Sequence, residues 1–405
     1  MIRAKGRAMS VFALIGTILA LTTYATLAPT AERREHGPEL TDAGRIALVG
    51  GRIIDGTGRR PIVPGTILIE AERIRAVGEA TSVTIPPDAR RIDVTGKTVL
   101  PGFVNAHVHL TFTHVGRGRR SRWVAEGVTT VCDLAAPVEQ IALLKNSAAG
   151  DPRVVVAGPI VSVPGGYPAS HLGPGIHLSV QGPEDAGRKV NALIDRGADV
   201  IKIALERAGS SRLPVLSDQE IRAIVRAAHA RAVPVLAHVD VAENLERAVD
   251  TGVDTAAHMI RDPLPDALIR KMVAKDFSLI PTLAVLGDDG DGQRLMEDNL
   301  RRFVAAGGKV AFGDDWGNTG TATGMPWYEL RLYQRAGMSP MQIIVSATQH
   351  SARACNLDRD RGTLEPGKLA DLFVVTGDPV DDLGALKQVA LVLKGGRVIA
   401  RGESD

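Results

Sequence analysis

Two histidines separated by one residue, His107 and His109 in VLPGFVNAHVHL, are residues whose types and spacing suggest a reaction. On an extended strand, side chains two apart share a face, so the pair can grip one cation together. Alone, such a pair is as readily a hydrogen-bonding pair as a ligand set. The same placement recurs, however. Lys202 follows ADVI, His238 follows PVLA, His258 follows VDTAA and Asp315 follows KVAFGD, each at the end of an apparent strand. Singly, Lys202 could pair with Glu206, His238 and His258 could bond at strand ends, and Asp315 could cap a turn. Together they point to a metal site.

The elements that must position these groups have a regular rhythm of buried strand, turn and helix, repeated eight times, which implies parallel strands. Strand ends are expected near His109, Asp133, Gly158, Ile203, His238, His258, Pro281 and Phe312. Helix starts are expected at Pro137, at Pro183 with Glu184 and Asp185, at the Ser217-to-Glu220 capping box, and at Ser339 with Pro340. No G-x-G-x-x-G turn opens a helix, which disfavours a doubly wound dinucleotide fold. The fold class is therefore α/β, a (β/α)8 TIM barrel over residues 98–361, whose chemistry belongs at the C-terminal ends of its strands. Residues 45–97 and 362–405 instead alternate short β-rich runs with turns, including a Gly395–Gly396 hairpin, and are expected to complete one small β-sandwich.

A chain of 405 residues accommodates both units. A formal charge of +2 with no long basic run beyond the N-terminus argues against nucleic acid and for a small-molecule partner. Cys132 and Cys355 lack the spacing of a zinc finger or a disulfide framework, so a metal would fall to His, Asp, Glu or Lys. Arg3, Lys5 and Arg7 precede an uncharged apolar run from Val11 to Ala28. Residues 1–30 are read as a secretory signal, cleaved after Ala25 or Ala28, or else as a membrane anchor, with a linker over 31–44. A periplasmic or secreted protein is expected, in contact with a membrane only if that segment is uncleaved.

H-x-H after LPGF, a lysine in GADVIKI, single histidines on the next two strands and G-x-D on the last resemble the amidohydrolase superfamily, specifically its imidazolonepropionase-like and prolidase-like branch. GVTTVCDL, GVDTAAH and RGTLEPGKLADLFVV extend the resemblance over about residues 45 to 402. It implies two divalent metal ions, zinc being expected. His107 and His109 would hold the first, His238 and His258 the second, an N6-carboxylysine at Lys202 would bridge them, and Asp315 would complete the first site. If Lys202 is unmodified, a one-metal site remains. Free lysine, with a pKa of about 10.4, is a poor ligand, so this role requires the modification. Asp315, favoured over the adjacent Asp314 by the G-x-D pattern, would be the general base.

The implied reaction is hydrolysis of an amide bond in a dipeptide, an N-acyl amino acid or a cyclic amide. Lactone or phosphotriester hydrolysis on the same site, and a silent barrel, are the alternatives. After the third strand, SVPGGYPASHLGPGIHL is too long for a connector and reads as a loop that shapes the substrate site. Tyr167 stands in it where relatives carry histidine. Tyr167, His171, His177 and Arg207 are the candidate substrate contacts, and Arg117, Arg119, Arg120 and Arg122 are read as a solvated basic rim. A homo-oligomer is left open.

Overall fold

A computed structural model describes residues 44–112, 120–168, 172–206, 213–286 and 290–402. The expected export segment lies outside the described residues, as do all but the last residue of the linker. No helix among the described residues is long and apolar enough to cross a membrane.

The chain opens with β1 (Arg45–Ile53), β2 (Ile62–Glu70), β3 (Arg73–Glu79), β4 (Arg90–Asp93) and β5 (Lys97–Pro101). The barrel follows with β6 (Phe103–Val108), β7 (Val128–Asp133), β8 (Arg153–Val156), β9 (Ile160–Ser162), β10 (His177–Ser179), β11 (Ile201–Leu205), β12 (Val235–Val239), β13 (Thr255–Ala257), β14 (Ser278–Ile280) and β15 (Lys309–Val310). The chain ends on β16 (Leu372–Thr376), β17 (Val389–Lys394) and β18 (Arg397–Arg401).

All pairings from β6 to β15 are parallel. The barrel closes where the eighth strand meets the first: the Ala106 amide donates to the Phe312 carbonyl at 2.7 Å and the His109 amide to the Trp316 carbonyl at 2.6 Å. Val104, Ala106, Cys132, Val155, Leu236 and Ile280, drawn from five strands, pack as one buried cluster in which Cys132 and Cys355 are free thiols. Small and branched side chains of this kind fill a barrel solidly and leave chemistry to its rim.

Gly158 is not the end of the third strand. It takes φ +74°, Pro159 lacks an amide donor, and the strand is only interrupted there. β8 pairs with β7 below the break and β9 with β11 above it, so the strand reaches Ser162. The long segment beyond is not all loop either, since β10 returns to pair in parallel with β9, His177 beside Ile160.

Helices begin where the caps direct. Ser217 and Glu220 bond each other's backbone amides before Asp218–His229, Ser339 and Gln342 do so before Pro340–Val345, and Pro183 opens Gly182–Asp195. Each such cap contributes about 1 kcal/mol.

The two terminal segments form one eight-stranded sheet, the β-sandwich unit. β1 pairs antiparallel with β2 and, along successive halves, parallel with β4 and β5; β16 pairs antiparallel with β5. β5 crosses the expected boundary at residue 97 and belongs to this sheet through Pro101. Ile46, Leu48, Ile67, Ile69, Val99, Leu372, Val374 and Leu393 are its core. Gly395 and Gly396, at φ +57° and +70°, make the two-residue turn between β17 and β18.

Candidate metal centre and active site

At the C-terminal rim, the polar atoms of His107, His109 and Asp315 converge. The two Nε2 atoms are 3.2 Å apart. Asp315 Oδ1 lies 3.2 Å from Nε2 of His107 and 2.8 Å from Nε2 of His109, yet this buried oxygen is engaged in no hydrogen bond among the described residues. A cation with bonds of about 2.0–2.1 Å in tetrahedral geometry sets its ligands roughly 3.3 Å apart, so the donor set suits a divalent ion. His258 stands beside it, its ring 4.9 Å from that of His107 and its Nδ1 4.0 Å from Asp315 Oδ2. His238 packs edge-on against His258 at 4.4 Å. Lys202 is 1% exposed and its Nζ has no hydrogen-bond partner among the described residues.

Burial, reinforced by Lys202 and neighbouring imidazoles, holds the pKa of His107 well below 6.5; burial and then His238 do the same for His258. Both are neutral, the form that ligates. Burial lowers Lys202 from 10.5 to about 7 against the opposing pull of Asp315 and Cys132, which puts a neutral amine within reach near pH 7.

The surroundings orient these groups. Asp133, raised to about 6 by burial, accepts from the Leu110 amide at 2.6 Å and the Ala135 amide at 3.1 Å, fixing the turn just past His109. Phe112 stacks on the His109 ring at 4.1 Å. The Thr282 hydroxyl meets His258 Nδ1 at 2.7 Å, leaving Nε2 for the site. Glu329, wholly buried and raised to about 8 by that burial, accepts from the Leu283 and Ala284 amides at 2.9 and 2.7 Å and so holds the turn carrying Thr282. His258, Thr282 and Asp315, at three successive strand ends, take φ of +79°, +47° and +57°. Left-handed backbone at non-glycine residues costs about 1–3 kcal/mol each and clusters at functional sites. At Gly313 a Cβ would come 2.9 Å from the His107 Cβ, so only glycine lets the last strand pass this close.

A model of the amidohydrolase family matches residues 98–399. The chain belongs to the amidohydrolase family. Among curated proteins, imidazolonepropionase of Symbiobacterium thermophilum is 25% identical, over 89% of this chain and 96% of its own. A solved structure from Bifidobacterium longum, assigned as a prolidase, is 31% identical with a TM-score of 0.75, covering 88% of this chain and 95% of its own. A Xaa-Pro dipeptidase solved with bound methionine is 25% identical with a TM-score of 0.74, covering 88% and 100%. This amidohydrolase is thus a metal-binding hydrolase with a TIM barrel and a β-sandwich, acting on a small molecule.

A cavity of about 430 Å³ opens over the centre, lined by His107, His109, Lys202, His238, His258 and Asp315. The six residues singled out as ligands therefore share one chamber. Asp314 turns away: it accepts from Asn105 Nδ2 at 2.7 Å and is raised to about 7 by burial. Tyr167 lines the cavity and stacks on His238 at 4.6 Å; burial, then Glu206 and Asp315, raise its pKa and keep it a phenol. His177 sits on β10 and does not line the cavity. His171 and Arg207 lie outside the described residues, as do Arg117 and Arg119, while Arg122 pairs with Glu126 at 2.7 Å.

Four residues that the sequence reading did not place at the site stand there. Glu206 meets His238 Nε2 at 2.5 Å. In the sequence it enters only as the alternative partner of Lys202, four residues earlier. Phe112, Arg261 and Thr282 follow strands β6, β13 and β14, and no motif marks them.

Proposed function

We propose that this hydrolase cleaves the amide bond of a dipeptide or N-acyl amino acid at a centre of two divalent cations, zinc in the native enzyme. The observation that carries the reading is the convergence of His107, His109 and Asp315 at 2.8–3.2 Å, beside buried Lys202, His238 and His258, beneath one cavity. His107 and His109 with Asp315 would hold one ion, and His238 and His258 the other. Lys202, its neutral amine adding to carbon dioxide with loss of a proton, would supply a carbamate as a further ligand. The chemistry such cations would supply there is a water of lowered pKa and a polarised carbonyl.

The protein's own part is positional and acid–base. Neutral imidazoles present lone pairs, and Phe112 and Asp133 hold His109 in place. Asp315 takes the proton from the attacking water and delivers it to the amide nitrogen as the C–N bond breaks, yielding an amine and a carboxylic acid that then loses its proton to solvent. Peptide-like substrates are favoured because prolidase-assigned neighbours share this layout over nearly the whole chain. The basic and apolar residues at positions 1–28 support an exported enzyme.

The test is the protein loaded with zinc and bicarbonate, assayed on Xaa-Pro, Xaa-Arg and N-acyl amino acid amides. Turnover of at least one, with two zinc ions per chain, is expected. No amide turnover rejects the reading, and faster turnover of lactones or phosphotriesters replaces it with that activity.

A further inference from the structure

The cavity has two unlike walls. The third strand and the segment after it supply Ile160, Tyr167 and Leu172, and Phe112 packs onto them in one apolar cluster with Ile176 and Ala204. In an eight-stranded barrel the third strand stands across from the seventh. On that far side, after the sixth and seventh strands, the lining is Met259, Arg261, Asp262, Val285 and Leu286. A substrate whose scissile bond lies at the centre therefore has one end against an apolar surface and the other beside Arg261.

The acids lining the cavity have partners of their own. Asp262 accepts from the Ala242 amide at 3.0 Å, where the helix Ala242–Thr251 begins. Asp240 accepts from Asn244 Nδ2 at 3.2 Å, and Glu206 pairs with His238 at 2.5 Å. Arg261 differs. Among the described residues its hydrogen bond is a single long one, 3.4 Å to the Leu286 carbonyl, and no ion pair engages it. Guanidinium presents five donors in a planar fork that suits a carboxylate.

We infer that Arg261 is the specificity residue that binds the free carboxylate on the amine side of the scissile bond, while the Phe112, Ile160 and Leu172 wall receives an apolar acyl group. The inference rests on the amide-hydrolase reading and narrows it to N-acyl amino acids and dipeptides with an apolar acyl half and an unblocked C-terminus.

The test uses N-hexanoyl-L-alanine and N-hexanoyl-L-alaninamide with the zinc-loaded enzyme. Wild type is expected to favour the acid in kcat/KM by about 10- to 100-fold, the range for a charge-assisted bidentate contact. Arg261→Gln should bring the two substrates within about threefold by raising KM for the acid well beyond any change on the amide; Arg261→Lys should restore part of the preference. An equal loss on both substrates, or a preference that survives Arg261→Gln, overturns the assignment. If neither compound is cleaved, calorimetric titration of both separates the two failures. Tighter binding of the acid that Arg261→Gln erases keeps the carboxylate subsite and removes only the cleavage of this amide; equal binding, or none, removes the subsite.

Discussion

Thr282→Val isolates the contribution of one oxygen. The side chain is fully buried, and its hydroxyl is bonded to His258 Nδ1 at 2.7 Å. Valine keeps the shape and the β-branch, so the left-handed backbone at φ +47° is no more strained than before. What is lost is the partner of a buried imidazole nitrogen, at about 1–3 kcal/mol, or roughly 5- to 150-fold at 1.4 kcal/mol per decade. Loss of a group that orients a ligating histidine typically costs about 10- to 100-fold in metal affinity, and the two ranges agree. His107 and His109 have no such support, since their Nδ1 atoms are without hydrogen-bond partners among the described residues. The effect should therefore fall on the cation that His258 is proposed to hold. Zinc competition against a chromophoric chelator should show one site weakened by about 10- to 100-fold and the other spared. Both sites as tight as in wild type would refute the idea that Thr282 aims His258.

Asp315→Asn should reduce kcat by about 10²- to 10⁴-fold while the protein stays folded by circular dichroism; near-normal turnover would mean the proton is carried elsewhere. Lys202→Ala should hold one zinc per chain where wild type with bicarbonate holds two, read by elemental analysis; two ions in the variant would exclude a bridging carbamate. Glu329 moves from 4.5 to about 8 on folding, so the native state binds the extra proton between those values. Its contribution is fully present below pH 4.5 and is lost as pH rises through about 8. Glu329→Gln should flatten the decline of melting temperature between pH 5 and 8 relative to wild type, and parallel curves would show that Glu329 does not titrate there.

The rim residues that the sequence made legible share a cause. His107, His109, Lys202, His238, His258 and Asp315 each terminate an apolar run, and a parallel barrel gathers strand ends into one ring whatever the intervening chain does. The capping box at Ser217 was legible because Glu220 lies three residues away, and the helix start at Ser339 because Pro340 follows it. Thr282 and Glu329 were not, because their partners lie 24 and 46 residues off across neighbouring elements. Glu206 was not legible as a neighbour of His238 because its partner stands on the adjoining strand, where Ala204 pairs with His238, and four residues of extended chain carry Glu206 about 13 Å from Lys202. Gly158–Pro159 carries the usual signature of a strand end, but parallel neighbours on both sides let the strand resume at Ile160.

The sheet that joins the two ends of the chain also constrains when the molecule can finish folding. Thr98 donates its hydroxyl hydrogen to the carbonyl of Gly377, 279 residues away, and β5 gains its antiparallel partner only when β16 has been made. Every barrel strand is synthesised before that partner appears, so β1 to β5 must wait with one apolar face uncovered. Pairings of such long range form slowly and leave strand edges prone to misassembly meanwhile. Truncation after the barrel, even far from any site residue, should therefore yield aggregates rather than a working core.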